Sequence, residues 1–360
     1  MNQKVIIFGC GKYFELKQET VQKEYEIVGF IDNSVKTNQG ELKQGLPVVN
    51  PMQLSLFPDS ALVLLMSSAW PDMWNQLKKI GIEDNRIIFG CNFNPGFNSE
   101  EEILKKNSII VSAKDNKICF KCHGDEKLFK DRDEIKQFYR VLYNKEYPYI
   151  NEIKNMPLEP ASRHWGCERG TPIDRYYIEK FLSDNSSYIC GDVMEISEDK
   201  YTKRYGGDNV VNSYILHVNG YGENVIKGNL VTGEGIHENS IDCLICTQTL
   251  PFIFDIKKCV KNIFKMLKPG GSALITTGGI TPISYYDYVR WGHYWSFTDQ
   301  SLKQLLSEYF DEDNIAINVY GNMKVAISFL YGLCLEDLNE EDLNYYDELY
   351  PVTIAARVIK

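Results

Sequence analysis

Leu158-Glu-Pro-Ala-Ser-Arg-His-Trp-Gly-Cys-Glu-Arg-Gly-Thr-Pro-Ile-Asp-Arg-Tyr-Tyr-Ile-Glu-Lys-Phe-Leu182, then Ser183-Asp-Asn-Ser-Ser187, is the stretch whose reading decides the fold. Charged side chains, a Gly, a Pro and paired tyrosines crowd together in it. Apolar residues at helical spacing from Ile173 to Leu182 predict a helix, and the apolar run Tyr188–Ile196 that follows predicts a buried strand. Outward from it, strands are expected at Val210–Leu216, Asn224–Lys227, Ile241–Cys246, Ser272–Thr276 and Ile315–Tyr320, with helices at Ile256–Leu267 and Asp299–Tyr309. Strands alternating with helices predict a doubly wound, parallel α/β sheet.

The first part of the chain repeats that grammar. Val5–Phe8, Glu26–Ile31, Ala61–Met66 and Arg86–Phe89 read as strands, with helices over about residues 13–24 and 72–80. Asn, Pro and Gly cluster at residues 92–98 and mark a boundary. The expected organisation is a Rossmann-like domain over 1–98, a small irregular connecting module over 99–157, and a second α/β domain over 158–360. In the module, Ile109–Ser112 and Lys117–Lys121 alternate like a hairpin, and Asp125–Tyr143 reads as a charged amphipathic helix.

Composition sets limits. The 360 residues are 44% hydrophobic and 24% charged, which is globular, and suffice for two cores. The net charge of −10 repels phosphates, so neither nucleic acid nor an anionic membrane surface is expected as a partner. The ten cysteines are scattered, several inside apolar runs, as free thiols in a reducing compartment would be. The N-terminus enters a strand at once, without the features of a signal peptide, and no apolar run approaches the ~20 residues of a membrane span. A cytoplasmic location is expected, and the oligomeric state, including a homo-oligomer, is left open.

Gly9-Cys-Gly11 follows a strand and precedes a helix, where backbone N–H groups can approach a phosphate. The third glycine of a dinucleotide loop would fall at residue 14, which is Phe14. Asp32 closes the second strand, where an acid would bond ribose hydroxyls. A tight turn without a ligand explains the same glycines. Together with Tyr25-Glu-Ile-Val-Gly-Phe-Ile-Asp-Asn33 and Gly45-Leu-Pro-Val48, this loop resembles the nucleotide-sugar-binding N-terminal domain of bacterial sugar acyltransferases over about residues 3–90. The resemblance implies a nucleotide or nucleotide sugar at Gly9, Gly11 and Asp32.

In the second domain, Asn239-Ser-Ile-Asp-Cys-Leu-Ile-Cys-Thr-Gln-Thr-Leu250, Arg169–Ile178, Tyr201–Gly207, Trp291-Gly-His-Tyr-Trp-Ser-Phe-Thr298, Leu267-Lys-Pro-Gly-Gly271 and Phe329–Leu333 together resemble class I S-adenosylmethionine (SAM) dependent methyltransferases, of a type 11-like group found among surface-glycan genes. The resemblance covers residues 158–360. It implies SAM at the carboxyl ends of the strands, near Glu195, Ser197, Asn229, Gln248 and Thr249, and a sugar hydroxyl as methyl acceptor. Ser197 stands where the group has glycine, Tyr214 where an acid near the end of strand two is expected, and Asn229 where an acid follows strand three. Tyr cannot replace a ribose-binding carboxylate. His293 is the candidate general base, in a position where the group usually has Asp; a histidine bonded into the loop core is the alternative. Gln248 and Thr249 are expected to face the cofactor, or else to cap the next helix. The rival to an enzyme acting on a small-molecule or glycan substrate is a non-catalytic binding or scaffold protein that has lost SAM.

Other signals point nowhere. Cys119-Phe-Lys-Cys-His123 spells a haem-attachment pattern, but attachment needs export, and strand alternation puts Cys119 and His123 on one face and Cys122 on the other. No zinc site is expected, since no second ligand pair has suitable spacing. The thiols of Cys243 and Cys246 should point to opposite faces of their strand. Val325–Leu335 should be a core helix and the acidic run Glu336–Asp347 a solvated face.

Overall fold

The computed structural model describes residues 2–35 and 41–360. The chain divides into two compact units, Met1–Met156 and Pro157–Lys360.

The first unit runs β1 (Gln3–Phe8), α1 (Lys12–Glu24), β2 (Tyr25–Ile31), β3 (Glu41–Lys43), β4 (Leu46–Val49), β5 (Leu62–Leu65), α2 (Trp70–Lys79) and β6 (Ile87–Phe89). Its sheet has the order β3-β4-β2-β1-β5-β6, parallel except where β3 meets β4. Val5, Ile6, Ile7 and Phe8 are all buried, because a parallel strand in the middle of a sheet is covered on both faces.

The chain continues as α3 (Ser99–Lys106), β7 (Ile110–Lys114), β8 (Lys117–Cys122), β9 (Asp125–Phe129), α4 (Arg132–Glu146) and α5 (Tyr149–Lys154). Residues 99–156 are more than a connector. Leu104, Val111, Phe120 and Ile135 stand in one buried cluster with Phe8, Leu65 and Trp70. The expected hairpin forms, and a third strand joins it. Asp125–Phe129 pairs antiparallel with β8 instead of opening the helix. The helix starts where Asp131 caps it, accepting the N–H groups of Asp133 and Glu134, each at 3.0 Å.

A buried ion pair ties α1 to α3. Lys17 Nζ lies 2.6 Å from Glu101 Oε2 and donates to the Gly90 carbonyl at 2.9 Å. Tyr13 donates its hydroxyl to the same carboxylate. Every charge in the group is bonded, as burial demands.

The second unit contains α6 (Ile173–Asp184), β10 (Gly191–Ile196), α7 (Lys200–Tyr205), β11 (Val210–His217), β12 (Val225–Lys227), β13 (Ile241–Thr247), α8 (Ile256–Met266), β14 (Leu267–Gly278), α9 (Tyr285–Tyr288), α10 (Asp299–Leu306), β15 (Ile315–Tyr320), α11 (Met323–Tyr331), α12 (Glu340–Asn344) and β16 (Thr353–Ile359). The sheet order is β12-β11-β10-β13-β14-β16-β15. The first five strands are parallel. Strand β16, which no expected element covered, lies antiparallel between β14 and β15 and makes the sheet mixed.

The two faces of this sheet carry separate cores. Met194, Leu244 and Ile275 pack with Val260 of α8 and Leu302 of α10, while Val193, Ile245 and Leu274 pack with Phe181 of α6 and Phe329 of α11. Cys246 belongs to the first core and Cys243 to the second, as strand alternation requires.

The stretch that opens this unit is pinned to its far end. Arg169 Nη1 pairs with Asp337 at 2.9 Å, Thr171 donates its N–H and hydroxyl to Glu336 at 2.8 and 2.9 Å, and Leu335 N–H reaches the Thr171 carbonyl at 2.7 Å. The acidic run is thus not only a solvated face. Lys268, from the Leu-Lys-Pro-Gly-Gly turn, bridges Asp192 and Asp242, both at 2.7 Å, at the amino ends of β10 and β13. That turn is a structural clasp at the edge opposite the strands' carboxyl ends.

Candidate functional site

A cavity of about 900 Å3 opens at the carboxyl ends of the parallel strands in the second unit. Ligands gather there in doubly wound sheets, because strand ends and crossover loops leave a crevice. Ser197, Asn229, Gln248, Thr249 and His293 all line it. Glu195, the sixth expected residue, does not. It is buried, and its carboxylate accepts the Thr202 N–H at 2.7 Å, the Thr202 hydroxyl at 2.8 Å and the Tyr201 N–H at 3.2 Å. Glu195 serves the first turn of α7. Burial pushes its pKa up, against the pull of those bonds.

Three lining residues, Trp165 at φ 58°, Ser197 and Gln248, are backbone outliers. Ser197, just past β10, has φ 70°, and Gln248, just past β13, has φ 46°. Left-handed backbone at a side-chain-bearing residue costs about 1–2 kcal/mol, and such strain collects at functional sites. The Ser197 N–H bonds the Leu216 carbonyl at 3.0 Å and the Gln248 N–H bonds the Thr276 carbonyl at 2.8 Å, so strand ladders hold both turns in place. Helix α8 is capped by Asp255, whose Oδ1 accepts the Lys258 N–H at 3.3 Å. Gln248 and Thr249 are therefore not the caps of that helix. The Gln248 amide makes no hydrogen bond among the described residues, while the Thr249 hydroxyl donates to the Thr247 carbonyl at 3.0 Å.

Asn229 has its oxygen engaged. It accepts the N–H groups of Val231 at 2.8 Å and Thr232 at 3.2 Å, which leaves the amide NH2 as a donor. Tyr214 lies in mid-strand, half-buried against the core, and not at the end of β11. The polar residues that reach the cavity from that strand end are His217 and Asn219. His217 Nδ1 accepts the Asn219 N–H at 3.0 Å, so the neutral ring carries its proton on Nε2.

His293 is half-buried, and burial lowers its pKa against the raising effect of Asp287. The ring is therefore neutral near pH 7. Its Nδ1 accepts the Ser284 N–H at 3.3 Å, and it meets Phe252 edge-on at 5.2 Å. For Nε2 to accept a proton, the ring must carry its own on Nδ1, and the Ser284 contact must give way. One wall of the cavity is aromatic. Phe254 and Trp295 stack with centroids 6.2 Å apart and planes at 27°, and Trp295 Nε1 is anchored to the Ile253 carbonyl at 3.0 Å.

Asp174 and Arg175, in the first turn of α6, also line the cavity and were not among the expected site residues. Their signal lay in the opening stretch: adjacent opposite charges directly after Pro172-Ile173, on a helix whose inner side is otherwise apolar. Burial raises the Asp174 pKa.

In the first unit, Gly9 has φ 92°, and a Cβ there would stand 2.6 Å from the Met66 carbonyl oxygen. Close passage of β5 thus requires that glycine. Nothing lies within 4 Å of a Cβ placed on Gly11, which begins α1 without any side-chain cap. Phe14 is buried against Phe30, edge-on at 5.6 Å. Asp32 accepts the Ser34 N–H at 2.9 Å, the Ser34 hydroxyl at 2.7 Å and the Cys10 thiol at 3.2 Å. Burial opposes its charge, but these bonds hold its pKa below the usual carboxylate value. Cys119 is fully buried, and Cys122 Sγ donates to the Asn107 carbonyl at 3.2 Å.

Residues 207–275 match a family model described as a methyltransferase domain, and residues 1–88 match one described as C2185-like, N-terminal. No curated protein matches the chain. Among solved structures, a SAM-dependent methyltransferase from Archaeoglobus fulgidus is similar at 14% identity, covering 52% of this chain and 94% of its own, with a TM-score of 0.35. The N-methyltransferase NodS from Bradyrhizobium japonicum WM9, solved with S-adenosyl-L-homocysteine, is 13% identical over 53% of this chain and 89% of its own, with a TM-score of 0.34. A SAM-dependent methyltransferase from Mesorhizobium loti is 12% identical over 52% of this chain and 98% of its own, with a TM-score of 0.34. Within the second unit, residues 207–275 are thus similar to a methyltransferase domain, and the unit has an α/β fold. Among the described residues no helix is long and apolar enough to cross a membrane, and no group of three or more His, Cys, Asp or Glu is placed to hold a metal ion.

Proposed function

We propose that the second unit binds SAM at the carboxyl edge of its sheet and transfers the methyl group to a sugar hydroxyl. The observation that carries this reading is the convergence of Ser197, Asn229, Gln248, Thr249 and His293 on one cavity of about 900 Å3. That volume lies in the range of small-molecule sites, roughly 300–1,000 Å3. The donor set suits the cofactor. The Asn229 NH2 can donate to adenine ring nitrogens, and His217 Nε2–H and Asn219 stand at the end of β11, where a ribose would lie. Bound SAM supplies an electrophilic methyl on sulfur.

The protein's part is to hold the acceptor oxygen in line and take its proton. Neutral His293 is the proposed proton acceptor. The nearby Asp287 favours the imidazolium that forms. The aromatic wall supports the acceptor class, since Phe254 and Trp295 offer flat apolar faces to the C–H face of a sugar ring. The sequence resemblance supports a role in surface-polysaccharide assembly, and the scattered free cysteines support a cytoplasmic location.

For the first unit we propose nucleotide or nucleotide-sugar binding at Gly9, Gly11 and Asp32. The open space at Gly11, at the uncapped start of a 13-residue helix, favours it. A ribose hydroxyl there would share Asp32 with Ser34 and Cys10. Titration with uridine-diphosphate sugars tests this, and Asp32→Ala should weaken binding.

Calorimetric titration of the full chain with SAM and S-adenosylhomocysteine tests the main reading. Saturable binding is expected. No heat and no thermal shift at millimolar ligand would overturn it in favour of a scaffold protein.

A further inference from the structure

We propose that Asp174 and Arg175 form a clamp for an α-amino-acid head group, the carboxylate taking its ammonium and the guanidinium its carboxylate. The proposal rests on reading the cavity as a SAM site, and it assigns the methionine end of that cofactor to residues outside the glycine-type loop.

Both side chains line the cavity from the first turn of α6. Although adjacent, they form no ion pair with each other. Apart from backbone N–H groups of its own turn, the Asp174 carboxylate has no hydrogen-bond partner among the described residues. The Arg175 guanidinium makes one bond there, a long one of 3.4 Å from Nη1 to the Tyr201 hydroxyl. A partly buried carboxylate and a guanidinium, each with spare bonding capacity, call for charged partners. A zwitterion answers both. Its carboxylate accepts two parallel N–H bonds from the guanidinium fork, and its ammonium donates to Asp174.

The position fits as well. Tyr201, which holds Arg175, lies in α7, and its N–H is fixed by Glu195 at 3.2 Å. Helix α7 begins three residues after Ser197, and Glu198 is close enough to act on the Arg175 charge. The clamp therefore borders the Ser197–Asp199 loop at the end of β10. Ser197 carries a side chain where close backbone approach is wanted. A charged clamp beside it offers the head group a second means of attachment.

The test uses the full chain and two ligands: S-adenosylhomocysteine, and 5′-methylthioadenosine, which keeps the adenosine and thioether but lacks the amino acid. Arg175→Met and Asp174→Asn should each weaken S-adenosylhomocysteine about 10- to 100-fold, the loss of one charged hydrogen-bonded contact. Methylthioadenosine affinity should stay within about twofold, which also shows that the variants fold. Arg175→Lys, which keeps the charge but loses the fork, should fall between. Unchanged S-adenosylhomocysteine affinity, or equal losses for both ligands, would overturn the clamp and leave the cofactor reading intact. Wild-type protein that binds neither ligand would overturn the cofactor reading and the clamp with it.

Discussion

The Glu195 carboxylate holds Thr202 twice, through its N–H at 2.7 Å and its hydroxyl at 2.8 Å. An acid at the end of the central strand thus builds the helix that follows and does not face the cavity. Glu195→Gln puts an NH2 group against those donors. It should lower stability by about 1–3 kcal/mol in urea denaturation. An unchanged midpoint would show that the bonds carry no net stability.

Ser197→Gly removes the left-handed strain at φ 70°. The strain relieved is about 1–2 kcal/mol, and the extra freedom of glycine in the unfolded chain gives back about 0.5–1. A net gain of about 0–1.5 kcal/mol is expected, with tighter SAM binding by calorimetry. Weaker binding would mean that the Ser197 hydroxyl contacts the cofactor.

The Lys17–Glu101 pair is buried on both sides. Lys17→Met strands the Glu101 charge and should cost about 3–5 kcal/mol. Adding Glu101→Leu should recover much of that loss in chemical denaturation. A double variant no more stable than the single would instead place the cost in lost packing at Tyr13 and Gly90.

His293 gives a pH test. Its pKa is lowered in the fold from 6.5. The folded state therefore resists protonation. The stability this contributes is present above pH 6.5 and is lost as pH falls through the lower folded value. The melting temperature of the wild type should drop across that acid range more steeply than that of His293→Gln. The variant should also lose methyl transfer about 100-fold or more while still binding SAM, as removal of a proton acceptor predicts.

Much of the fold was legible because its signals are local. Apolar runs predicted β1, β5, β10 and β13, and the period of Ile173–Leu182 predicted α6. The segment Asp125–Phe129 misled because its run of charged residues suits a helix face as well as an edge strand. Only pairing with β8 decides between them. The cavity residues Ser197, Asn229, Gln248 and His293 were legible through resemblance at strand ends.

What the sequence by itself determined is most of the order of strands and helices, the α/β character of the chain, and which loops leave the carboxyl ends of the strands. These follow from periodicity and turn chemistry, which act over a few residues. Only the tertiary structure decided how the polar side chains are spent. It turned Glu195 inward to α7, left Tyr214 in mid-strand, joined Arg169 to Asp337 across the domain, and brought Asp174 and Arg175 to the cavity with their bonding capacity unused. The physical reason is that a polar group's partner is set by which segments meet in space. Residues 168 positions apart, such as Arg169 and Asp337, leave no local pattern that announces the meeting.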